Sequence, residues 1–312
     1  MKKLIIHAGH YKTGSSFLQN CFYRNKQLLL SQGVLFPRQG LDFSSTVGIC
    51  HRLLAYADDP SFDKLLSKIK LESEIHEHHT LLLSAEAFCQ PFFLNRIHIF
   101  EEVFDNYDIT FNIILRSQDE LVASLYKEWI QAFRYNGGIR NLLEEWEPIL
   151  NFHKLIDNIV STTEQLGINI SIYNNYENGP AYFDGVSTWL GLPLVNYDIE
   201  EVSHNPSISL ISAEVIKKLR IKYKNKIDDV KIYTLIDELI KGNRYLASFS
   251  GVPKDIWEIL ALKYSDGNNL LESEYGLPLG SLSLQRSSIL AVSDKLFLLN
   301  IDAVSDVIEG QI

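Results

Sequence analysis

Cysteine is scarce in this chain. Its three cysteines, Cys21, Cys50 and Cys89, are too few and too scattered for a disulfide framework, and none stands in a C-x-x-C pair. That excludes the small stapled scaffolds and the thiolate zinc modules, and the odd count fits a reducing compartment. Long apolar runs are missing too. The N-terminus, MKKLIIHAGHYKTG, opens like an export signal, but the apolar stretch is only Leu4 to Ile6, short of the roughly 7–15 residues such a signal needs. No run approaches the roughly 18–20 apolar residues of a membrane span. A cytoplasmic protein with no stable membrane insertion is expected. A basic surplus is also absent: Lys+Arg 29 against Asp+Glu 39 leaves a net charge of -10, which argues against nucleic acid as a partner. Net charge says nothing about distribution, so a small basic pocket stays open.

What is present is an ordinary globular composition, 46% hydrophobic and 22% charged over 312 residues, which excludes a disordered chain. The first half alternates short apolar runs with helical periodicity, the pattern of a parallel sheet covered by helices. Lys3–Ala8, Thr80–Ser84, Ile109–Leu115 and Ile168–Tyr173 read as strands. A helix starts at Ser15, and Gly33 stands where a C-cap glycine belongs. Another helix is expected over Gln118–Phe133. From about Ala181 the chain reads mainly helical, over Ile211–Lys224, Val230–Lys241 and Pro253–Tyr264. The economical organisation is an α/β core over 1–180 and a mostly helical part over 181–312, packed as one unit. The stretches Glu177–Pro180 and Tyr197–Ser209 read as loops. Nothing in the pattern sets an oligomeric state.

The segment His7-Ala8-Gly9-His10-Tyr11-Lys12-Thr13-Gly14-Ser15-Ser16 lies between the first strand and the first helix. Backbone N–H groups and a helix N-terminus there attract anions. Gly9 and Gly14 have the G-x-x-x-x-G spacing of a nucleotide P-loop, but a Walker motif would continue with lysine and then a hydroxyl. Here Ser15 and Ser16 follow, and the lysine, Lys12, is inside the loop. The Walker lysine reaches the β and γ phosphates and the next hydroxyl holds magnesium. The shift points to an anion with a shorter phosphate chain.

Strand, then KTGSS, then helix resembles the 5′-phosphosulfate loop of the sulfotransferases that use 3′-phosphoadenosine 5′-phosphosulfate (PAPS), which typically show KTGTT or KSGTT. The serines keep both hydroxyls. The resemblance implies that Lys12, Thr13, Gly14, Ser15 and Ser16 bind the cofactor. The family's second signature is a strand-end arginine followed by a serine in the next helix, both holding the 3′-phosphate. ILRSQDELVASLY places Arg116 and Ser124 in those positions, and a guanidinium fork suits phosphate oxygens. The run LRSQDELVASLYKEWI, the early H-x-G-x-x-K-T-G-S-S-x-L-Q pattern and LSAE are similar to a bacterial branch of the family. The likeness covers about residues 4–175, with fainter similarity at SHNPSIS and DGNNLL. It implies a P-loop-like three-layer α/β fold, in-line sulfuryl transfer without a metal, and a carbohydrate or lipid acceptor.

Transfer to a hydroxyl or amine needs a base at the acceptor and a cation at the leaving oxygen. Lys12 fits the second role. For the base, Glu86 at a strand end, His51 after a glycine-containing loop and His10 inside the phosphate loop all stay open. The cluster His76-Glu77-His78-His79 lacks the i, i+4 pair of a zinc site and reads as the end of a surface helix. Trp129, Phe133, Tyr135 and Trp146 read as core, with an acceptor cleft or an adenine shield as the other reading. Asn205, Ser207 and Ser209 are expected in a closing loop, by resemblance. Gly280–Arg286 is a poor match to the family's late basic loop. Two rival functions are a P-loop kinase or other nucleotide-binding protein, which needs a lysine after Gly14, and a non-catalytic anion-binding relative.

Overall fold

In a computed structural model, residues 1–43, 48–174, 180–193, 197–198, 209–223, 234, 252–277, 282, 301–302 and 305–306 are described. The expected helix over Val230–Lys241 lies outside them except for Thr234, as do Asn205, Ser207, most of Gly280–Arg286 and most of the two expected loops.

The core element is β1 (Lys2–Gly9), in which Leu4, Ile5, Ile6, His7 and Ala8 are all buried. A strand buried on both faces must be apolar throughout rather than alternating, which is the signature of a parallel sheet. The chain then forms α1 (Ser15–Arg24), α2 (Lys26–Ser31), β2 (Val34–Leu35), α3 (Arg52–Ala55), α4 (Asp59–Ile75) and β3 (Thr80–Ser84). A 3₁₀ turn (Glu86–Cys89), α5 (Pro91–Leu94), α6 (Ile97–Val103) and β4 (Tyr107–Ile114) follow. After β4 come α7 (Gln118–Ala132), α8 (Ile139–Leu142), α9 (Glu147–Leu150), α10 (Phe152–Thr163), a second 3₁₀ turn (Glu164–Leu166) and β5 (Asn169–Tyr173). The remaining described helices are α11 (Pro180–Trp189), α12 (Leu210–Lys222) and α13 (Lys254–Glu274).

The sheet has five parallel strands in the order β2-β3-β1-β4-β5. The fold is therefore α/β and P-loop-like, with helical segments in the C-terminal part. The connections leaving β1 and β3 run to opposite sides of β1, so its C-terminal end sits at the topological switch point where α/β sheets bind ligands. The four expected strands are present, β4 beginning two residues early at Tyr107. The two-residue β2 was not expected. The first helix is longer in the sequence pattern than in the structure, because Asn25 interrupts it. The Asn25 side chain donates to the carbonyl oxygens of Cys21 at 2.9 Å and Asp198 at 3.1 Å, an alternative to helix continuation that asparagine offers. Gly33 (φ +80) follows α2 as a left-handed exit.

By contacts the chain forms two compact units, 1–116 with 153–202, and 117–152 with 203–312. The first unit holds the sheet. One face of its core gathers Leu18, Cys21, Phe22, Leu29, Phe36, Tyr182, Phe183 and Val186 around Ile5, Leu82 and Ile114. The second unit is helical in its described residues. There α7 packs against α12 and α13, and the buried Gln118 exchanges hydrogen bonds with Asn268 at 2.9 Å in each direction.

Candidate active site

The turn after β1 is tightly wound. Lys12 has φ 59 and Gly14 has φ 77, so two of the loop's residues adopt the left-handed region, one of them a non-glycine that bears a real conformational cost. Gly9 closes the strand where nothing larger fits: a Cβ there would stand 2.0 Å from Ser15 Oγ and 3.0 Å from Ser15 Cβ. Inside the turn the Thr13 hydroxyl donates to the His10 carbonyl at 2.6 Å and lies 3.2 Å from Ser15 Oγ. The Tyr182 hydroxyl donates to the Thr13 carbonyl, and the His10 N–H donates to Ile114 at 3.2 Å. Gly14 is the N-cap of the ten-residue α1, and no side chain caps that helix. The result is a rigid, glycine-hinged turn at a positive helix end, with Lys12 and Ser16 half-buried and Thr13 and Ser15 buried. Those are the components of an anion cradle.

Arg116 reaches the same turn from the neighbouring strand. β1 and β4 pair so that Gly9 lies opposite Ile114, and Arg116, two residues past that pair, donates from Nη1 to the Lys12 carbonyl at 3.0 Å. The structure thus brings together Lys12, Thr13, Gly14, Ser15, Ser16 and Arg116. Ser124 stands half-buried on α7, in the other compact unit.

Glu86 opens the 3₁₀ turn after β3 and is half-buried. Burial above all, then Cys89, Tyr56 and Glu86, push the Tyr11 phenol well above its ordinary range, so it stays a donor at any working pH. Burial likewise raises the Cys50 thiol to about 11 and the Cys89 thiol to about 12, with Glu86 adding to both. Glu86 therefore sits among Tyr11, Cys50 and Cys89, and neither thiol ionises near neutrality.

His51 has a different setting. It is fully buried; its Nδ1 accepts the Ser84 N–H at 3.1 Å and its Nε2–H donates to the Pro37 carbonyl at 3.1 Å. Its own N–H donates to the Ser84 carbonyl at 2.8 Å, and Ser84 Oγ lies 2.8 Å from Nδ1 of the buried His7. Burial lowers both imidazoles to about 4, so both are neutral. His10 is 2% exposed.

The HEHH cluster is absorbed by structure. His76 C-caps α4, as expected of a helix end. His78 bridges the His76 carbonyl and Tyr107 hydroxyl, and His79 bridges Thr80 Oγ1 and the Gln32 carbonyl. Among the described residues there is no group of three or more His, Cys, Asp or Glu able to hold a metal, and no helix long and apolar enough to cross a membrane. The aromatic set divides: Trp146 is core, at 2% exposure, whereas Phe133 is 69% exposed. Ser209 N-caps α12, accepting the Ser212 N–H at 3.0 Å.

Sequence reasoning missed the support beneath the site. Tyr182, which locks Thr13, lies 169 residues away, and the His7–Ser84–His51 chain spans three separate segments. Neither has a local signature.

No protein-family model and no curated protein matches the chain. Among solved structures, the crystal structure of a sulfotransferase from Alicyclobacillus acidocaldarius is similar at 14% identity and a TM-score of 0.38, covering 75% of this chain and 99% of that one. At that level the likeness carries no weight, and the functional reading rests on the chain's own residues.

Proposed function

We propose that this chain is a PAPS-dependent sulfotransferase, moving a sulfuryl group to a hydroxyl or amine of a carbohydrate or lipid acceptor. The observation that carries this reading is the convergence of Lys12 and Arg116 on one glycine-hinged turn at the switch point of the sheet. Lys12, the hydroxyls of Ser15 and Ser16, and a helix N-terminus without a side-chain cap fit a 5′-phosphosulfate, and the Arg116 guanidinium beside the turn fits the 3′-phosphate. PAPS supplies the activated sulfuryl group: a new bond to sulfur forms from the acceptor's oxygen or nitrogen as the bond from sulfur to the bridging oxygen breaks, and that electron pair leaves with adenosine 3′,5′-bisphosphate. Lys12 neutralises the charge on the departing oxygen, and the loop hydroxyls and N–H groups hold the 5′-phosphate. Arg116 takes the 3′-phosphate.

Glu86 is the base in this reading and accepts the acceptor's proton. It is preferred to His51 because both His51 ring nitrogens are already hydrogen-bonded and the ring is fully buried. His51 is a positioning residue, holding the end of β3 from which Glu86 emerges. The rival kinase reading lacks a lysine after Gly14.

The test is sulfate transfer from PAPS by wild type and Lys12→Ala, with calorimetry of adenosine 3′,5′-bisphosphate and ATP. The expected result is bisphosphate binding and transfer that Lys12→Ala removes. Binding and turnover of ATP with no response to PAPS would overturn the reading.

A further inference from the structure

Beside Glu86 the surface changes character. Leu53 is 50% exposed, Tyr56 54% and Phe92 39%; scattered exposed apolar residues are ordinary, but here two of them are rings in contact, a contiguous patch. They belong to α3 with its C-cap and to α5, and both helices pack against the 3₁₀ turn that carries Glu86. The Tyr56 and Phe92 rings lie 5.2 Å apart at 36°, and the Arg52 guanidinium stands 5.2 Å over the Tyr56 ring. Behind them Gln90 Nε2 donates to the Tyr11 hydroxyl at 2.9 Å. Gln90 is the N-cap of α5, two residues before Phe92, and Glu86 opens the turn against which α3 and α5 pack, which ties the aromatic pair, the polar pair and the carboxylate into one neighbourhood.

We propose that Tyr56 and Phe92, with the Tyr11–Gln90 pair, form an acceptor subsite for a neutral glycoside, the inference resting on the sulfotransferase reading above. A pyranose ring has an apolar C–H face and a rim of hydroxyls. The aromatic pair matches the face. The Tyr11 phenol, held protonated, and the Gln90 carbonyl oxygen match the rim as donor and acceptor.

The surroundings narrow the occupant. Asp58 and Asp59 follow two and three residues after Tyr56, and they balance Arg52 and Arg96, so the platform offers no cationic surplus to a sulfated or phosphorylated chain. Three apolar side chains flanked by Arg52 and Gln90 are too small and too polar a surface for an acyl chain, which needs continuous apolar cover. The platform is also held from behind. Arg96 donates from Nη1 to the Ala57 carbonyl at 2.7 Å and pairs through Nη2 with Asp59 Oδ1 at 2.8 Å, fixing the chain that carries Tyr56. A rigid aromatic surface loses little entropy on binding a sugar.

The experiment uses the full chain with adenosine 3′,5′-bisphosphate. Neutral methyl β-glycosides of glucose, galactose and N-acetylglucosamine are titrated by saturation-transfer NMR, with dodecanol as the lipid probe. At least one glycoside is expected to bind. Tyr56→Ala and Phe92→Ala are expected to weaken it about tenfold each, Phe92→Tyr to restore it, and bisphosphate affinity to stay within about twofold of wild type. Three results overturn the subsite: no glycoside binds, the two alanine variants bind as well as wild type, or dodecanol binds in their place. Loss of bisphosphate binding by wild type would instead sink the sulfotransferase reading itself, so the two failures are distinguishable.

Discussion

Arg116 Nη1 donates to the carbonyl oxygen of Lys12 at 3.0 Å, across 104 residues of sequence. One strand-end cation therefore holds the backbone of the turn that presents the other. The bond commits a guanidinium N–H to the turn, and a lysine cannot reproduce the planar fork that reaches a carbonyl and a phosphate together. Arg116→Lys is expected to lose bisphosphate affinity nearly as fully as Arg116→Ala, by about tenfold or more. Calorimetry of the two variants checks this; a lysine variant with wild-type affinity would show the fork to be unused.

Lys12 separates stability from activity. At φ 59 its backbone is in the left-handed region, where an alanine is disfavoured against glycine by about 1 kcal/mol. Lys12→Gly is expected to be more stable than Lys12→Ala by about that amount in urea unfolding. On the proposed sulfotransferase reading, both should lose sulfate transfer by about a hundredfold or more, since that reading makes Lys12 the cation at the leaving oxygen.

Gly9 is constrained by the same turn. A methyl group there meets Ser15 Oγ at 2.0 Å and Ser15 Cβ at 3.0 Å; rotating the hydroxyl relieves only the first contact. Gly9→Ala is expected to cost about 1–3 kcal/mol in urea unfolding. Because the displaced residue begins α1, bisphosphate affinity should fall with it. Retention of both would show that the turn relaxes freely.

These features differ in how far the sequence revealed them. Lys12, Gly14 and Gly9 were legible because the G-x-x-x-x-G spacing between a strand and a helix, with a lysine and two hydroxyls, falls within a ten-residue window. The strands β1 and β3 were legible because burial on both faces makes each a nearly continuous apolar run; β4 is continuously buried only in its second half, and the edge strand β5, NISIY, was legible from its alternation. The two-residue β2 is too short to carry a period. The 17-residue α4 was seen only at its end, His76, although Asp58 caps it through the Ser61 N–H at 3.1 Å and Phe62, Leu66 and Ile69 form its buried stripe. The His51–Ser84 pairing, by contrast, joins residues 33 apart through a backbone N–H. A bond of that kind leaves no mark on residue type at one of its two ends.

Glu86 and His51 should respond differently to substitution. Glu86→Gln keeps the shape and removes the proton acceptor, so sulfate transfer is expected to fall about 10²–10⁴-fold with bisphosphate affinity unchanged. His51→Gln should instead lower stability, because the buried Ser84 N–H and Pro37 carbonyl lose their shared partner, a cost of about 1–3 kcal/mol. If Glu86→Gln turns over normally while a still-folded His51→Gln does not, the base assignment is reversed.

The buried histidines also set an acid limit on the fold. Burial lowers His7 and His51 from 6.5 to about 4 in the folded chain. Between those values the unfolded chain binds more protons than the folded one, so stability rises with pH through this window. The stabilisation is complete above about 6.5 and disappears as pH falls toward 4. Each ring, fully buried, contributes up to about 3 kcal/mol by that shift. Urea unfolding between pH 7.5 and 4.5 is expected to show a steep loss of stability. His51→Gln, less stable at pH 7.5, should lose markedly less over the same range through the histidines, because of the three imidazoles that burial lowers only His7 and the less buried His78 then remain. A variant whose pH dependence matches wild type would mean that His51 does not titrate with unfolding.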